Sequence, residues 1–178
     1  MRSAPEIAAE SWAFALAIYV RPGVAEACLT LQSELGVDVM LLLMSAFAAV
    51  KHRIPLTADE INALDASCRP WREQIMRKLR AIRTELKTGP APAPGSATEP
   101  FRSQVKALEL EAEKIENRLL AECLPLRQAQ QEVVRPDQLR GVLTDVAMHF
   151  ARQRGTKLNA SLSSSIEVIL EAAMQDAS

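Results

Sequence analysis

The chain has 178 residues, of which 48% are hydrophobic and 4% aromatic, and its formal net charge is −1. This length buries a substantial core, and the hydrophobic content excludes global disorder. The near-zero charge excludes a general attraction to nucleic acid or anionic membranes. Abundant Ala and Leu with few aromatic residues favour packed helices over sheets.

The first helix is predicted over residues 6–20 and the second over residues 24–35, with Arg21-Pro22-Gly23 as the break between them. Gly36 is expected to end the second helix, because glycine adopts the left-handed conformation common at that position. The expected core residues of the first helix are Ile7, Trp12, Leu16 and Tyr19.

The most apolar stretch is 39–50, in which Ser45 is the one polar residue. A helix that is apolar on every side must be buried on every side, so a central helix over about 39–52 is expected to organise the fold. Asp38 is the predicted N-cap, and His52 is a cation at the end that favours positive charge. The apolar run is about 18 Å long as a helix, too short to cross about 30 Å of hydrocarbon.

A long antiparallel helical hairpin is predicted next, with helices over about 70–88 and 101–124. Pro70 suits the first turn of its first helix. Residues 89–100 are rich in Pro and Gly and are expected to form a flexible linker. The second helix has apolar residues at heptad spacing, a pattern that predicts a seam facing its partner. These residues are Phe101, Val105, Leu108, Ala112, Ile115 and Leu119.

Two further helices are predicted, one from Pro136 to Gly155 and one over about 161–174. A short helix with Ile61, Leu64 and Cys68 is also predicted after a capping box at Thr57 and Glu60. The sequence therefore predicts a single all-α domain over residues 1–178 with about eight helices. We expect a globular helical bundle around the buried central helix, with the hairpin attached.

A basic stripe lies on the first hairpin helix, since residues 69–88 hold seven Lys or Arg against two Glu. On a regular helix, five of these cations fall within about 80° of one another. They are Arg69, Arg72, Arg80, Arg83 and Lys87.

The stripe has two interpretations. It is either a surface for a protein partner or an anion, including nucleic acid, or it pairs with glutamates that flank the facing seam. Those glutamates are Glu109, Glu111 and Glu116. Internal pairing is favoured, and the lack of interleaved aromatic residues weakens the case for single-strand binding.

Other chemistry is sparse. No set of His, Cys and carboxylate residues has metal-ligand spacing, so no catalytic residue, metal ligand or cofactor is predicted. His52 is interpreted as a helix-end cation and His149 as a surface or helix-packing residue. The three widely spaced cysteines are expected to be buried thiols in a reducing compartment. They are Cys28, Cys68 and Cys123.

The aromatic residues Trp12, Tyr19 and Trp71 have two interpretations. They could line a pocket for an apolar ligand, or they could anchor the core. The core interpretation is favoured.

Several motifs resemble one family of small proteobacterial helical proteins of unknown function. They are WAFALAIYVRPGV at 12–24, ACLTLQ at 27–32, GVDVMLLL at 36–43 and KALELEAE at 106–113. The resemblance implies a bacterial, cytoplasmic helical protein and supplies no activity. Met40 stands where the family usually has Asn, and Phe47 lies near its usual Trp, which weakens any site built on an Asp-Asn pair. Nothing is transferred onto residues 136–178.

The sequence favours a non-catalytic cytoplasmic protein that interacts or assembles through its hairpin, with a protein partner or a second copy. An apolar small-molecule or lipid-intermediate binder is one alternative. A nucleic-acid or ribosome-associated protein that uses the basic stripe is another. No integral membrane segment is predicted.

Overall fold

The structure is a computed structural model that describes residues 3–129 and 133–176, and all regular secondary structure in these residues is helical. A π-helical turn at Arg72–Met76 joins α4 to α5, so that the described chain forms seven continuous helices. The all-α prediction is confirmed. The helices are α1 (Ala4–Tyr19), α2 (Val24–Leu35), α3 (Val39–His52), α4 (Ala58–Trp71), α5 (Arg77–Thr88), α6 (Glu99–Cys123), α7 (Pro136–Arg154) and α8 (Ala160–Gln175).

The predicted helix start at Pro70 is wrong, because Pro70 lies inside α4. Proline lacks an N–H donor and its ring crowds the carbonyl four residues earlier, so an interior proline disturbs the helix. The chain continues as a helix, but it widens into the π turn from Arg72 onward. A π turn contains one extra residue, so it rotates α5 relative to a regular extension of α4.

Helix α3 is the central element, and every residue from Met40 to Val50 is buried. Five helices contact it: α1, α4, α6, α7 and α8. Asp38 caps the helix as predicted, since its Oδ1 accepts hydrogen bonds from the backbone N–H groups of Met40 at 2.9 Å and Leu41 at 3.2 Å. The five surrounding helices therefore all pack against α3.

The predicted core of α1 is right in part: Ile7 is buried and Trp12 packs partly buried against the core, whereas Leu16 and Tyr19 are exposed. Phe14 and Ile18 are buried in their place. The side of α1 that contacts α6 is held by polar contacts. Ser11 donates a hydrogen bond to Asn117 of α6 at 2.9 Å, and Asn117 donates one to the Ala8 carbonyl at 2.7 Å.

Helices α5 and α6 form the predicted hairpin. Apart from the adjoining π turn, α6 is the helix against which α5 packs extensively, and α5 has no buried residue. Residues 89–98 connect the two helices, and α6 begins at Glu99, two residues before its predicted start. Flexibility of the linker at 89–100 and the single-domain organisation stay predictions.

No single helix in the described segments is both long and apolar enough to cross a membrane. Helices α1 and α2 pass that test only as a pair, and the chain bends by 102° between them.

Replacing Leu42 with Ala should lower the free energy of unfolding by about 2–5 kcal/mol, because Leu42 is fully buried in α3 and its truncation leaves a cavity. Leu29→Ala is the matched control, since Leu29 is 56% exposed on α2 and should lose no more than about 0.5 kcal/mol. Urea unfolding curves measure both. Equal losses would contradict the central position of α3.

Candidate functional site

A buried arginine connects the start of α3 to α4. Arg72 Nη1 donates a hydrogen bond to Asp38 Oδ2 at 2.6 Å, and Arg72 Nη2 donates one to Asp65 Oδ1. All three side chains are buried. A buried ion pair is strongly destabilising to break, because the remaining charge has no compensation. Arg72 therefore holds the cap of α3 and the middle of α4 at a fixed separation.

Asp65 extends this network to α7. Its Oδ2 accepts hydrogen bonds from Arg69 at 2.5 Å and from Gln153 at 3.0 Å, and His149 Nε2 lies 2.8 Å away. Burial alone raises the pKa of Asp65, but His149, Arg69 and Arg72 outweigh it and hold that pKa well below its usual range. His149 is thus a helix-packing residue, one of its two predicted roles.

A second polar group adjoins Arg72 and consists of Asp38, Cys68 and Glu116. One ligand atom from each side chain lies within 4.8 Å of the others, and all three residues are buried. As a carboxylate, Glu116 has no hydrogen-bond donor for either oxygen among the described residues, whereas in its protonated form it hydrogen-bonds Asp38. Burial, and then the charge of Asp38, raises the pKa of Glu116 to about 10. We call Asp38, Cys68 and Glu116 the buried triad.

The five residues of the predicted basic stripe lie in different environments. Arg69 and Arg72 contact the buried carboxylates described above, with Arg72 itself buried. Arg80 and Arg83 reach Glu109 of α6 at 2.9 and 2.5 Å. Lys87 is exposed near the end of α5.

The expected acidic partners of the stripe differ from one another as well. Glu109 pairs across the hairpin with Arg80 and Arg83. Burial raises its pKa, but these two guanidinium groups hold it below the ordinary value. Glu111 pairs instead with Lys114 on its own helix, and Glu116 belongs to the buried triad.

The three aromatic residues predicted to line a pocket do not share one. Trp12 borders an open groove of about 630 Å³ between α1 and α6, and Lys114 on the opposite wall lies 6.0 Å from its ring. Tyr19 and Trp71 are not among the residues that line this groove. Trp71 instead packs on the hairpin, where its Nε1 donates a hydrogen bond to the Ala112 carbonyl at 3.0 Å.

One face of the hairpin carries exposed apolar side chains. On α6 the buried residues of the predicted seam include Val105 and Ala112, while the residues between them are exposed at intervals of seven. A helical-wheel projection of the antiparallel pair places the exposed residues of both helices on one side. We call this set the hairpin face; it consists of Ile75, Ile82, Phe101, Leu108 and Ile115.

The cysteine prediction is correct for Cys28 and Cys68, which are buried free thiols, and wrong for Cys123, which is exposed. Cys123 is the last residue of α6, where the helix leaves the core. Burial raises the pKa of the Cys28 thiol to about 12, which makes it a poor nucleophile at neutral pH.

The sequence analysis missed one pattern. Some charged residues lie three or four positions from buried apolar residues and therefore share their face of the helix. Asp65 lies four residues after Ile61 and three before Cys68, so it shares their face of α4. Glu116 lies four residues after Ala112 on the buried face of α6. A charged residue at such a position needs a buried partner, and the triad and the Arg72 network follow from that requirement.

Fold and site together define an all-helical protein with a buried ionic network and a hairpin that is only partly covered. The chain belongs to the family described as "Protein of unknown function (DUF2390)", whose model matches residues 10–120. The resemblance to an uncharacterised family is thus confirmed. No curated protein and no solved structure matches the chain. The matched region contains the whole buried triad and ends before α7.

Asp65→Asn should lower the free energy of unfolding by about 3–5 kcal/mol at pH 7, because it leaves Arg72 with one buried carboxylate instead of two. A depressed carboxyl pKa stabilises the fold above the unfolded-state pKa of about 4, and this contribution is lost as the pH falls below it. The difference from wild type should therefore shrink between pH 5 and pH 3. Asp59→Asn, an exposed change, is the control. A difference that is independent of pH would contradict this account.

Proposed function

We propose that this protein is a non-catalytic interaction protein that assembles through its hairpin face, and that the occupant of this face is a second copy of the chain. The observation that carries the proposal is the exposure of α5. This strongly amphipathic helix has no buried residue, although the other seven α-helices each bury at least four.

An amphipathic helix gains most of its stability from burial of its apolar face. The hairpin face places five large apolar side chains on one side of two helices, and Leu108 is 56% exposed. Contiguous exposed apolar surface of this kind is typical of protein interaction sites. The seven-residue spacing of Phe101, Leu108 and Ile115 on α6 matches the repeat by which helices pack side by side in bundles.

Charge favours a second copy as the occupant. Helix α5 carries five cations against Glu85, and three of them, Arg77, Lys78 and Lys87, lie outside the pairing of Arg80 and Arg83 with Glu109; α6 carries six glutamates against four cations. A two-fold axis parallel to the hairpin would place α6 of one copy over α5 of the other in antiparallel orientation. The result is a four-helix bundle in which a basic helix faces an acidic one.

The two alternative functions stay predictions. Nucleic-acid binding would depend on a stripe of which Arg69, Arg72, Arg80 and Arg83 already contact carboxylates. An apolar ligand would bind in the open groove beside Trp12, because the three aromatic residues do not line a single site. The cytoplasmic location likewise stays a prediction.

Sedimentation velocity should show a concentration-dependent dimer in the wild-type protein. Leu108→Glu should weaken that dimer by at least about tenfold, because it places a charge in the centre of the hairpin face. Leu29→Glu is the matched control, since Leu29 is equally exposed, at 56%, but lies on α2. It should dimerise like the wild type.

Two results would reject the second copy as occupant: a wild-type chain that stays monomeric up to about 100 µM, or equal effects of the two glutamate substitutions. High salt gives a further readout, because pairing between α5 and α6 of different copies should weaken as ionic strength rises. Circular dichroism of each variant should remain that of the wild type, because both positions are exposed.

A further inference from the structure

The buried triad brings together three side chains from separate parts of the chain. Asp38 precedes α3, Cys68 lies in α4, and Glu116 lies in α6. Their ligand atoms lie within 4.8 Å of one another. In a tetrahedral zinc site, bond lengths of about 2.0–2.3 Å place ligand atoms roughly 3.5 Å apart, so small side-chain movements would suffice to bring them into range.

An independent observation concerns Glu116, which is completely buried and, as a carboxylate, has no hydrogen-bond donor for either oxygen among the described residues. Buried polar atoms without partners are rare in folded proteins and call for an explanation, such as a bound ion.

We propose that Asp38, Cys68 and Glu116 bind one divalent metal cation of the zinc class, with water as a fourth ligand. The thiolate of Cys68 selects this class, because sulfur ligands favour Zn²⁺ over Mg²⁺ and Ca²⁺. Three protein ligands with one remaining position are the usual arrangement when water completes a zinc site.

The charge of the surroundings fits a divalent cation. A divalent cation that displaces the protons of the Cys68 thiol and the Glu116 carboxyl leaves the charge of the network unchanged, because its two positive charges replace those of the two protons. Arg72 Nη1 lies 2.6 Å from Asp38 Oδ2 and 3.6 Å from Cys68 Sγ, so it would orient two ligands from outside the coordination sphere. The backbone donors of Met40 and Leu41 hold the other oxygen of Asp38.

The ligands are buried, so the cation is expected to enter during folding. The test uses the full chain without an affinity tag, unfolded in chelator, refolded with or without Zn²⁺ and passed through gel filtration. Elemental analysis should give one zinc per chain for the wild type and for Cys123→Ser, whose thiol is exposed and outside the triad. Zinc affinity should fall at least about tenfold in Glu116→Gln and Cys68→Ser.

Cobalt in place of zinc identifies the sulfur ligand. The wild-type protein and Cys123→Ser should both show the thiolate-to-cobalt charge-transfer band, and Glu116→Gln, which is nearly isosteric, should lose it at equal cobalt concentration. This comparison holds even if Cys68→Ser does not fold. The proposal is wrong if the refolded wild type retains no zinc, if cobalt binds without the sulfur band, or if Glu116→Gln binds zinc as tightly as the wild type.

Discussion

The double ion pair of Arg72 is the interaction on which the rest of the structure depends. Its guanidinium group contacts Asp38, which caps the central helix, and Asp65, which contacts α7 through His149 and Gln153. These contacts fix the positions of α3, α4 and α7 relative to one another. Apolar burial drives these helices together without specifying direction, whereas buried hydrogen bonds to charged groups are directional. The network thus supplies the geometric constraint that the apolar core lacks.

Helix α6 divides its surface between two roles. Its inner face holds Glu116 of the buried triad, and its outer edge carries Phe101, Leu108 and Ile115 of the hairpin face. A ligand of the triad would therefore act on the same rigid element that presents the assembly surface. Because α6 is 25 residues long, both features share one continuous helix.

Helix positions and the central role of α3 were predictable, because they depend on local signals such as the Asp38 cap and on apolar periodicity. The relation between Asp38, Arg72 and Glu116 was not, since sequence spacing carries no information on contacts between separate helices.

The prediction of a basic stripe, which aligned Arg69 and Arg72 with Arg80 and Arg83, assumed an unbroken helix. Arg72 continues the buried face of α4, four residues after Cys68, and the π turn that begins there changes the rotation of the residues that follow, so that Arg80 and Arg83 reach Glu109. The predicted heptad seam of α6 is right for Val105 and Ala112, which are buried, and wrong for Phe101, Leu108 and Ile115, which are exposed because α5 covers only one position of the repeat.

The π turn at Arg72–Met76 also makes this fold sensitive to a change in the length of the chain. It acts as a one-residue insertion that sets the rotation of α5 with respect to α4. Losing one residue here would rotate everything that follows by about 100° and would turn the hairpin cations away from Glu109. Point substitutions on the exposed side of the turn are far less restricted, because they leave the residue count unchanged. Between Asp65 and Arg80, then, we expect a change in the number of residues to disturb the fold more than most substitutions of exposed residues.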